Sequence, residues 1–279
     1  MDEIAIQSFW QANPCGDNLL TRNDFGAIDE FFKAYDKYKY NLEPHIPSCL
    51  DGLNLGGQKL LEVGLGQGAE SEQMVRRGAR WTGLDLTDEA VTRVRTRLTM
   101  RDLPFDDVIK GSIITSGLPD NHFDIVFSHG VLHHVPNILA AQREIHRILK
   151  PGGRLVIMVY AKYSLNYILS IAVARRLGLF GMAAIGAKPS GIYADHLANA
   201  KKRGLFNYLK LETFIHANTD GPHNPYSKVY SQATIEADFP LFQLEKTYKR
   251  FMYAPPLPVK WLPLEKMLGW HLWAELRAH

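Results

Sequence analysis

The feature that most constrains this fold is an alternation of short apolar runs with amphipathic stretches between residues 58 and 160. The strand-like runs lie at residues 59–63, 80–84, 105–110, 123–127 and 154–160. Between two of them, Val91, Val94 and Leu98 fall on one helical face. Strands joined by helix-length spacers form right-handed crossovers and a parallel sheet with helices on both faces. The pattern therefore predicts an α/β fold that binds ligands at the carboxyl ends of its strands.

The segments on either side of residues 58–160 differ from this core. Residues 1–57 are aromatic and polar, and they predict an N-terminal helical lid. Residues 161–232 read as helices and loops and predict a helical insertion that caps the substrate. Residues 233–279 contain one helix and two further strand-like runs.

Composition excludes several classes of protein. The chain has 32 Lys and Arg against 29 Asp and Glu, a net charge of +3, which argues against a nucleic-acid-binding protein. Hydrophobic residues make up 46% of the chain, enough for a large core. The two cysteines, Cys15 and Cys49, are too few for a disulfide framework or a Cys-rich metal site. These features predict a cytoplasmic protein.

One apolar run, Leu165 to Ala187, has the length of a membrane span. Arg175 and Arg176 lie in its middle, and each Arg costs about 2.5–3.5 kcal/mol at a bilayer centre. The N-terminal residues show no basic segment followed by an apolar core, so no secretory signal is expected. The sequence therefore predicts no membrane span, and a buried or lid-forming helix at this run.

A glycine-rich loop, Glu62 to Gly68, separates the first strand from the first helix of the core. Glycines let the backbone turn sharply and let a ligand approach closely. Asp85 ends the second strand, where an acidic side chain can accept hydrogen bonds from both hydroxyls of a ribose. No Gly-Lys-Ser/Thr follows the loop, which excludes a phosphate-binding Walker loop. A plain turn between strand and helix is the alternative.

These residues resemble a known family. Leu60 to Gly68 is similar to the first motif of class I S-adenosylmethionine (SAM) dependent methyltransferases, and Leu84 to Thr87 to their acidic second motif. Residues 123–128, 131–135 and 149–153 resemble the later motifs in the same order, so the resemblance covers residues 58–160. Residues 9–16 and 40–46 resemble a bacterial, type 11-like subgroup that acts on small molecules.

The resemblance implies a Rossmann-like, seven-stranded, mostly parallel sheet with a terminal antiparallel strand pair, plus the helical lid and insertion. Phe242 to Tyr248 and His271 to Leu276 are the expected antiparallel pair. Together with the C-terminal helix, these strands would complete the core sheet.

The resemblance also implies SAM as the cofactor and S-adenosylhomocysteine as its product. The cofactor-binding residues expected from the matching motifs are Glu62, Gly64, Gly66, Gly68, Asp85, Leu86, Ser112, Ile113, His129 and Gly130. Glu62 and the glycine loop would shape the methionine pocket, Asp85 would hold the ribose, and Leu86 would lie against the adenine. Family members usually carry Gly-Asp where this chain has Gly111 and Ser112, so adenine contacts are expected from the backbone of residues 112–113.

Three histidines are the candidates for proton transfer: His129, His133 and His134. Imidazole titrates near neutral pH, and methylation of some acceptors requires removal of a proton. His129, with Gly130, directly follows the fourth strand and would face the sulfonium region. The alternative for the His-His pair is a structural role at the start of the next helix. No carboxylate recurs at metal-ligand spacing with these histidines, so no metal is predicted.

Candidate lid and acceptor residues lie outside the core. They are Trp10, Asn13, Cys15, Tyr40, Tyr160, His223 and Tyr226. The segment around Trp10 would lie over the cofactor, while the tyrosines can equally be core residues. Cys15 is a lone thiol without an identified His partner, which does not favour a nucleophile.

Together these observations predict transfer of a methyl group to an O, N or C nucleophile of a small molecule. The fourth strand is followed by Ser-His-Gly, and not by the Asn/Asp-Pro-Pro-aromatic motif of enzymes that methylate nucleobase amines. The alternatives are a protein or RNA methyltransferase, which an open basic groove would favour, and a non-catalytic SAM-binding or interaction module. The oligomeric state stays open.

Overall fold

The computed structural model describes residues 3–14 and 26–279. Within these residues, seven strands form one sheet. The strands are β1 (Lys59–Val63), β2 (Arg80–Asp85), β3 (Asp107–Lys110), β4 (Phe123–His129), β5 (Leu149–Tyr160), β6 (Phe242–Arg250) and β7 (His271–Ala278). Their order across the sheet is β3-β2-β1-β4-β5-β7-β6.

Helices pack on both faces of the sheet. The N-terminal helices are α1 (Glu3–Ala12), α2 (Ile28–Leu42) and α3 (Ile46–Asp51), and the core helices are α4 (Ala69–Arg76), α5 (Asp88–Met100) and α6 (Ile138–Ile148). A π-helix (Asn166–Arg175) leads into α7 (Arg176–Ala184), α8 (Ile192–Arg203), α9 (Leu205–Tyr208) and α10 (Leu211–Thr219). The C-terminal part contains α11 (Gln232–Asp238) and α12 (Glu265–Leu268).

The core consists of one apolar layer on each face of the sheet. Strand β4 contributes to both layers because successive side chains point to opposite faces: Val126 belongs to one cluster, Ile125 and Phe127 to the other. Val94 and Leu98 of α5 are fully buried, as the helical spacing predicts. The predicted fold is therefore confirmed.

Strand order determines where a ligand can bind. Strands β1 to β5 pair in parallel, whereas β7 is antiparallel to both of its neighbours, β5 and β6. From β1 the chain adds β2 and β3 on one side, and it then returns to add β4 and β5 on the other side. At this change in strand order, the carboxyl ends of β1 and β4 leave a crevice between them.

Several strand boundaries differ from the sequence expectation, and the starts of β5 and β3 have a clear physical cause. Helix α6 ends at Ile148, and β5 begins at once, because Leu149 is extended and pairs with Phe123. A residue before proline avoids the helical conformation, so Lys150, ahead of Pro151, also favours a strand. Strand β3 begins at Asp107, where pairing with Thr82 starts, and not at Phe105.

The long apolar run of residues 165–187 is helical, but it is not buried. Only 17% of the most apolar window in Asn166–Ala184 lies inside the protein. Of the two expected alternatives, the buried helix is therefore wrong, and the lid-forming helix stays a prediction. The division into lid, core, cap and C-terminal segments stays a prediction.

Candidate active site

A pocket opens at the carboxyl ends of β1, β2 and β4. Its core lining consists of residues 62–67, 84–87, 111–113 and 129–131. Nine of the ten residues expected at the cofactor are among them: Glu62, Gly64, Gly66, Asp85, Leu86, Ser112, Ile113, His129 and Gly130. Gly68 is outside the lining and instead precedes the first turn of α4.

The glycine loop follows β1 in a conformation that few other residues adopt. Gly64, Gly66 and Gly68 all have positive φ angles, of 81°, 51° and 75°. A Cβ atom at Gly64 would lie 2.1 Å from a methyl carbon of Val131. The loop thus places bare backbone against the pocket and leaves no room for a side chain at Gly64.

Asp85 ties the second strand to this loop. Its Oδ2 accepts a hydrogen bond from the Leu65 amide at 2.7 Å, and its Oδ1 accepts from the amide and hydroxyl of Thr87, both at 2.8 Å. A carboxylate offers about four acceptor sites, so these three bonds leave about one for a further donor. Burial raises the pKa of Asp85, although the Leu65 and Thr87 hydrogen bonds oppose that shift.

Glu62 is a buried acid at the bottom of the pocket. Its Oε2 accepts a hydrogen bond from Trp81 Nε1 at 2.9 Å. Burial, together with the nearby Glu70, raises the pKa of Glu62 to about 8, against the hydrogen bonds from Ser71 and Trp81. A cationic group bound here would favour the ionised carboxylate. Glu62 and the bare loop backbone thus fit a compact ligand that carries an ammonium group, as the methionine part of SAM does.

His129 lies at the end of β4 in the pocket wall, beside a carboxylate. Its Nδ1 is 3.3 Å from Glu70 Oε1, and the same oxygen is 2.6 Å from Lys39 Nζ. A carboxylate oxygen accepts, so the proton of a neutral His129 belongs on Nδ1 and its Nε2 carries a lone pair. Nε2 is buried and has no hydrogen-bond partner among the described residues.

The surroundings of His129 disfavour its protonated form. Burial, followed by the charges of Lys39 and His45, lowers the pKa of His129 well below its ordinary value. On its other side the ring packs near Trp273 and His271, with centroid distances of 5.2 and 5.7 Å. His129 is therefore neutral near pH 7.

His134 also lines the pocket, and each of its ring nitrogens lies near an oxygen atom from residues 220–226. Nδ1 is 2.7 Å from the Tyr226 carbonyl oxygen, and Nε2 is 3.3 Å from Asp220 Oδ2. Burial opposes ionisation of Asp220, but His134, together with a hydrogen bond from Tyr160, lowers its pKa to about 2. One ring nitrogen of His134 thus bonds the Tyr226 carbonyl, and the other lies beside the Asp220 carboxylate.

His133 lies behind the pocket. It is fully buried, and its ring packs 3.9 Å from that of Tyr160 and 4.2 Å from that of His134 (centroid to centroid). Neither ring nitrogen has a hydrogen-bond partner within the described parts of the chain. His133 is absent from the pocket lining, so it does not meet the site directly.

Two groups of side chains bring possible metal-ligand atoms within 4.8 Å of one another. They are Glu43 with His129 and His271, and His133 with His134 and Asp220. No carboxylate lies near these histidines along the sequence, and the fold supplies one to each group from a distant segment. These are the positions where a divalent cation can be tested.

Helix α1 lies over the open side of the pocket. Ile6, Trp10 and Pro14 contribute to the lining, and the Trp10 ring packs edge-on against His134 at 5.1 Å. Gln7 Nε2 donates to the Leu86 carbonyl at 2.9 Å, which fixes the helix to the end of β2.

Contacts of α1 also involve two of the predicted residues. The Ser112 hydroxyl donates to Glu3 at the start of α1, so that side chain is already used within the protein. Asn13 donates to the Phe9 carbonyl of its own helix. Cys15 lies outside the described residues.

The remaining predicted acceptor residues do not line the pocket. Tyr40 packs against the core and Tyr160 donates to Asp220 at 2.7 Å. Tyr226 contributes its carbonyl to His134. His223 is exposed and lies 3.6 Å from Asp195.

Sequence reasoning missed Lys39 and Glu70, which lie beside His129. Glu70 lies in the first turn of α4, a place where acidic residues are common for helix stability, so its type carries no functional signal. Asp220 was also missed, because it lies in a stretch that is dense in turn-forming residues. Its pairing with His134 depends entirely on the tertiary fold.

The sequence matches a methyltransferase domain family over residues 61–157. A ubiquinone biosynthesis O-methyltransferase from Azoarcus sp. (strain BH72) is 28% identical over 194 residues, covering 69% of this chain and 80% of that protein. A protein of the same name from Alkalilimnicola ehrlichii is 31% identical over 136 residues, covering 48% of this chain and 53% of the relative. The chain thus spans about half the length of one relative and about four fifths of the other.

Similarity to solved structures extends over more of the chain. The fold matches that of a SAM-dependent methyltransferase from Aquifex aeolicus with a TM-score of 0.53 and 14% sequence identity. The match covers 91% of this chain and 100% of the other. At this identity the likeness concerns the fold alone.

Proposed function

Since this chain is a class I SAM-dependent methyltransferase, we propose that it transfers the methyl group of SAM to a hydroxyl oxygen of a small-molecule acceptor. The observation that carries this proposal is His129, a neutral imidazole in the pocket wall whose Nε2 has no partner among the described residues. An acceptor hydroxyl must lose its proton as the new carbon–oxygen bond forms, and such a base can take it. Two relatives are named as O-methyltransferases, which supports oxygen as the methylated atom.

The residues proposed to hold the cofactor follow from the lining. Glu62 and the backbone of the glycine loop would bind the methionine part, Asp85 the ribose, and Leu86 with the backbone of residues 112–113 the adenine. Bound SAM would supply a methyl group attached to a positively charged sulfur. That sulfur would leave as the neutral thioether of S-adenosylhomocysteine. Helix α1 would exclude water from this part of the pocket, because Trp10 and Ile6 cover it.

The proposed route of the proton runs through His129. The Glu70 carboxylate, 3.3 Å from Nδ1, would favour the tautomer that carries its proton on Nδ1 and its lone pair on Nε2. Nε2 would take the proton of the acceptor hydroxyl as that oxygen receives the methyl group, which leaves the acceptor as a neutral ether and His129 as an imidazolium. Lys39 Nζ, 2.6 Å from Glu70, disfavours a lasting imidazolium at His129.

The proposed base predicts the pH dependence of methyl transfer. A histidine whose pKa is lowered loses its basic form only when the pH falls below that lowered value. We therefore expect kcat at saturating SAM and acceptor to stay level through pH 6.5 and to fall well below it. A descending acid limb centred at or above pH 6.5 would assign the proton transfer to another group. The charged or titratable groups around the ring are Glu70, Lys39, His45, Glu43 and His271. The pH profile of kcat should therefore be measured with all of them in place.

Replacing Asp85 by Ala is expected to weaken SAM binding about tenfold to a hundredfold, because the hydrogen bonds to the ribose and to the loop amide are both lost. Calorimetric titration with SAM measures the effect. Asp88→Ala is the matched control, since this exposed carboxylate of the next helix pairs only with Lys110 among the described contacts. Equal affinities for the two variants would remove Asp85 from the cofactor site.

A paired acceptor panel tests the choice of oxygen. Each scaffold is offered as its hydroxyl, amino and thiol form with radiolabelled SAM, and the methylated atom is identified by mass spectrometry. We expect incorporation into hydroxyl compounds, in a largely apolar or aromatic scaffold that suits Ile6, Trp10 and Val131 of the lining. Incorporation only into amines, protein or RNA would replace this proposal by one of the other acceptor classes.

A further inference from the structure

The helical cap carries an apolar surface that faces away from the rest of the protein. The π-helix of residues 166–175 continues into α7 without a break in the chain, and together they span Asn166–Ala184. The most apolar 18-residue window has a mean hydropathy of 1.4, and only 17% of it is buried. In the part of the chain that the structure describes, this is the one helix long and apolar enough to cross a membrane.

Four of the five large apolar side chains that this helix exposes fall on one side of it, and Ile168 lies beside that row. Leu169, Val173, Leu177 and Phe180 follow one another at intervals of four, four and three residues, the spacing of a single helical face. Leu177, at the centre, is 66% exposed. A core helix would turn such a face inwards.

The two arginines of the run point in the other direction. Arg175 donates to the carbonyls of Pro255 and Asn218, at 2.9 and 2.7 Å. Arg176 donates to the Leu209 carbonyl at 2.7 Å. These bonds fix the inner side of the helix to the segments that contain Leu209, Asn218 and Pro255. The outer side of the helix carries no charged residue. A helix held in this way lies along the protein surface and is not free to span a bilayer.

The apolar surface extends beyond the helix. Phe206 of α9 is 78% exposed, and its ring centroid lies 6.5 Å from that of Phe180. Ile185, just after α7, is 81% exposed. We call the surface formed by Leu169, Val173, Leu177, Phe180, Ile185 and Phe206 the cap face.

Basic residues accompany the cap face. Residues 161–232 contain nine Lys and Arg against three Asp and Glu, although the whole chain carries a net charge of only +3. Lys201, Lys202 and Arg203 form the exposed last turn of α8 and lie just ahead of Phe206 in the chain. The positive charge of the protein is thus concentrated in the segment that exposes the apolar face.

We propose that the cap face docks on the surface of a bilayer containing anionic lipids. Its aliphatic side chains and Phe206 would enter the boundary between headgroups and acyl chains, while the basic turn of α8 contacts the anionic headgroups. A contiguous apolar patch of this kind is unusual on a soluble monomer and marks an interaction site. The aliphatic character of the patch favours lipid over nucleic acid, whose bases stack mainly on aromatic rings.

Vesicle co-sedimentation of the full chain tests this proposal. The probes are vesicles of phosphatidylcholine alone and of phosphatidylcholine with phosphatidylglycerol. We expect the wild-type protein to bind the anionic vesicles, and to bind them less at high salt because the basic turn is screened. The double variant L177E/F180E should lose at least about tenfold in binding, and K201E/K202E about tenfold, since each Lys contributes several-fold near an anionic surface.

The control variant is Leu139→Glu, which places the same charge on an exposed apolar position of core helix α6. It should bind vesicles like the wild type, and unfolding curves of every variant should confirm that the fold persists. Equal sedimentation of wild type and L177E/F180E would overturn the proposal. The proposal would also be overturned if the protein bound no vesicles and formed a dimer that L177E/F180E abolishes. Binding of RNA without binding of vesicles would overturn it as well.

Discussion

Replacing His129 by Gln is expected to lower kcat for methyl transfer by about 10²–10⁴-fold, with the affinity for SAM changed less than about threefold. Gln keeps a polar side chain beside Glu70, but it cannot take up a proton from the acceptor. Single-turnover rates, together with calorimetric titration of SAM, separate the two quantities.

His134→Gln is the control for this substitution. His134 lies in the same pocket but is held by Asp220 and the Tyr226 carbonyl, so its loss should lower the melting temperature first. Its activity should then follow the folded fraction. If His134→Gln lost turnover at full folding and His129→Gln did not, the proton would pass through the His134–Asp220 pair.

Replacing Gly64 by Ala is expected to reduce the affinity for SAM by about a hundredfold and to lower the melting temperature. The new Cβ would meet Val131 at 2.1 Å, at a backbone conformation with φ of 81°. A left-handed conformation costs a residue with a Cβ about 1–2 kcal/mol, and overpacking adds about 1–3 kcal/mol. The loop must therefore move away from the position that lines the pocket.

A second substitution distinguishes this collision from a general effect of the variant. Val131→Ala removes both of the methyl carbons that the new Cβ would meet, so adding it to Gly64→Ala should restore part of the stability and of the SAM affinity. The backbone strain would remain, and rescue should be incomplete. Normal SAM binding by Gly64→Ala alone would show that the loop does not need its present shape.

The sequence allowed the sheet and the glycine loop to be predicted because their signals are local. Strand β2 ends at Asp85 as expected, and that position follows from an apolar run and the helix start after it. The resemblance to the methyltransferase motifs then placed the remaining strands in order. What it could not place exactly were the starts of strands such as β3 and β5, where pairing between strands decides the boundary.

The partners of the histidines could not be predicted, because they come from distant segments. Lys39 lies on α2 and Glu70 on α4, yet both are at the pocket with His129. Asp220 lies in the cap and pairs with His134 of the core. No local periodicity or spacing reports such contacts, so the three histidines look equivalent along the chain, and the fold gives each a different environment.

The cap shows the same limit in its charges. Read along the chain, Arg175 and Arg176 interrupt an apolar run and argue against a membrane span. In the structure both side chains bind backbone carbonyls on the inner side of the helix. Only the fold shows which way these two side chains point. The sequence alone therefore could not predict that the outer side of the helix is uncharged.

The most direct test of the proposed reaction is a single turnover with enzyme that has been preloaded with methyl-labelled SAM. It is mixed with the best hydroxyl acceptor of the panel, and the label is followed by mass spectrometry. We predict that the label appears on the acceptor oxygen with one equivalent of S-adenosylhomocysteine, and that His129→Gln binds SAM but transfers the label at least about a hundredfold more slowly. Transfer at an equal rate by His129→Gln, or label on any atom other than oxygen, would contradict the account.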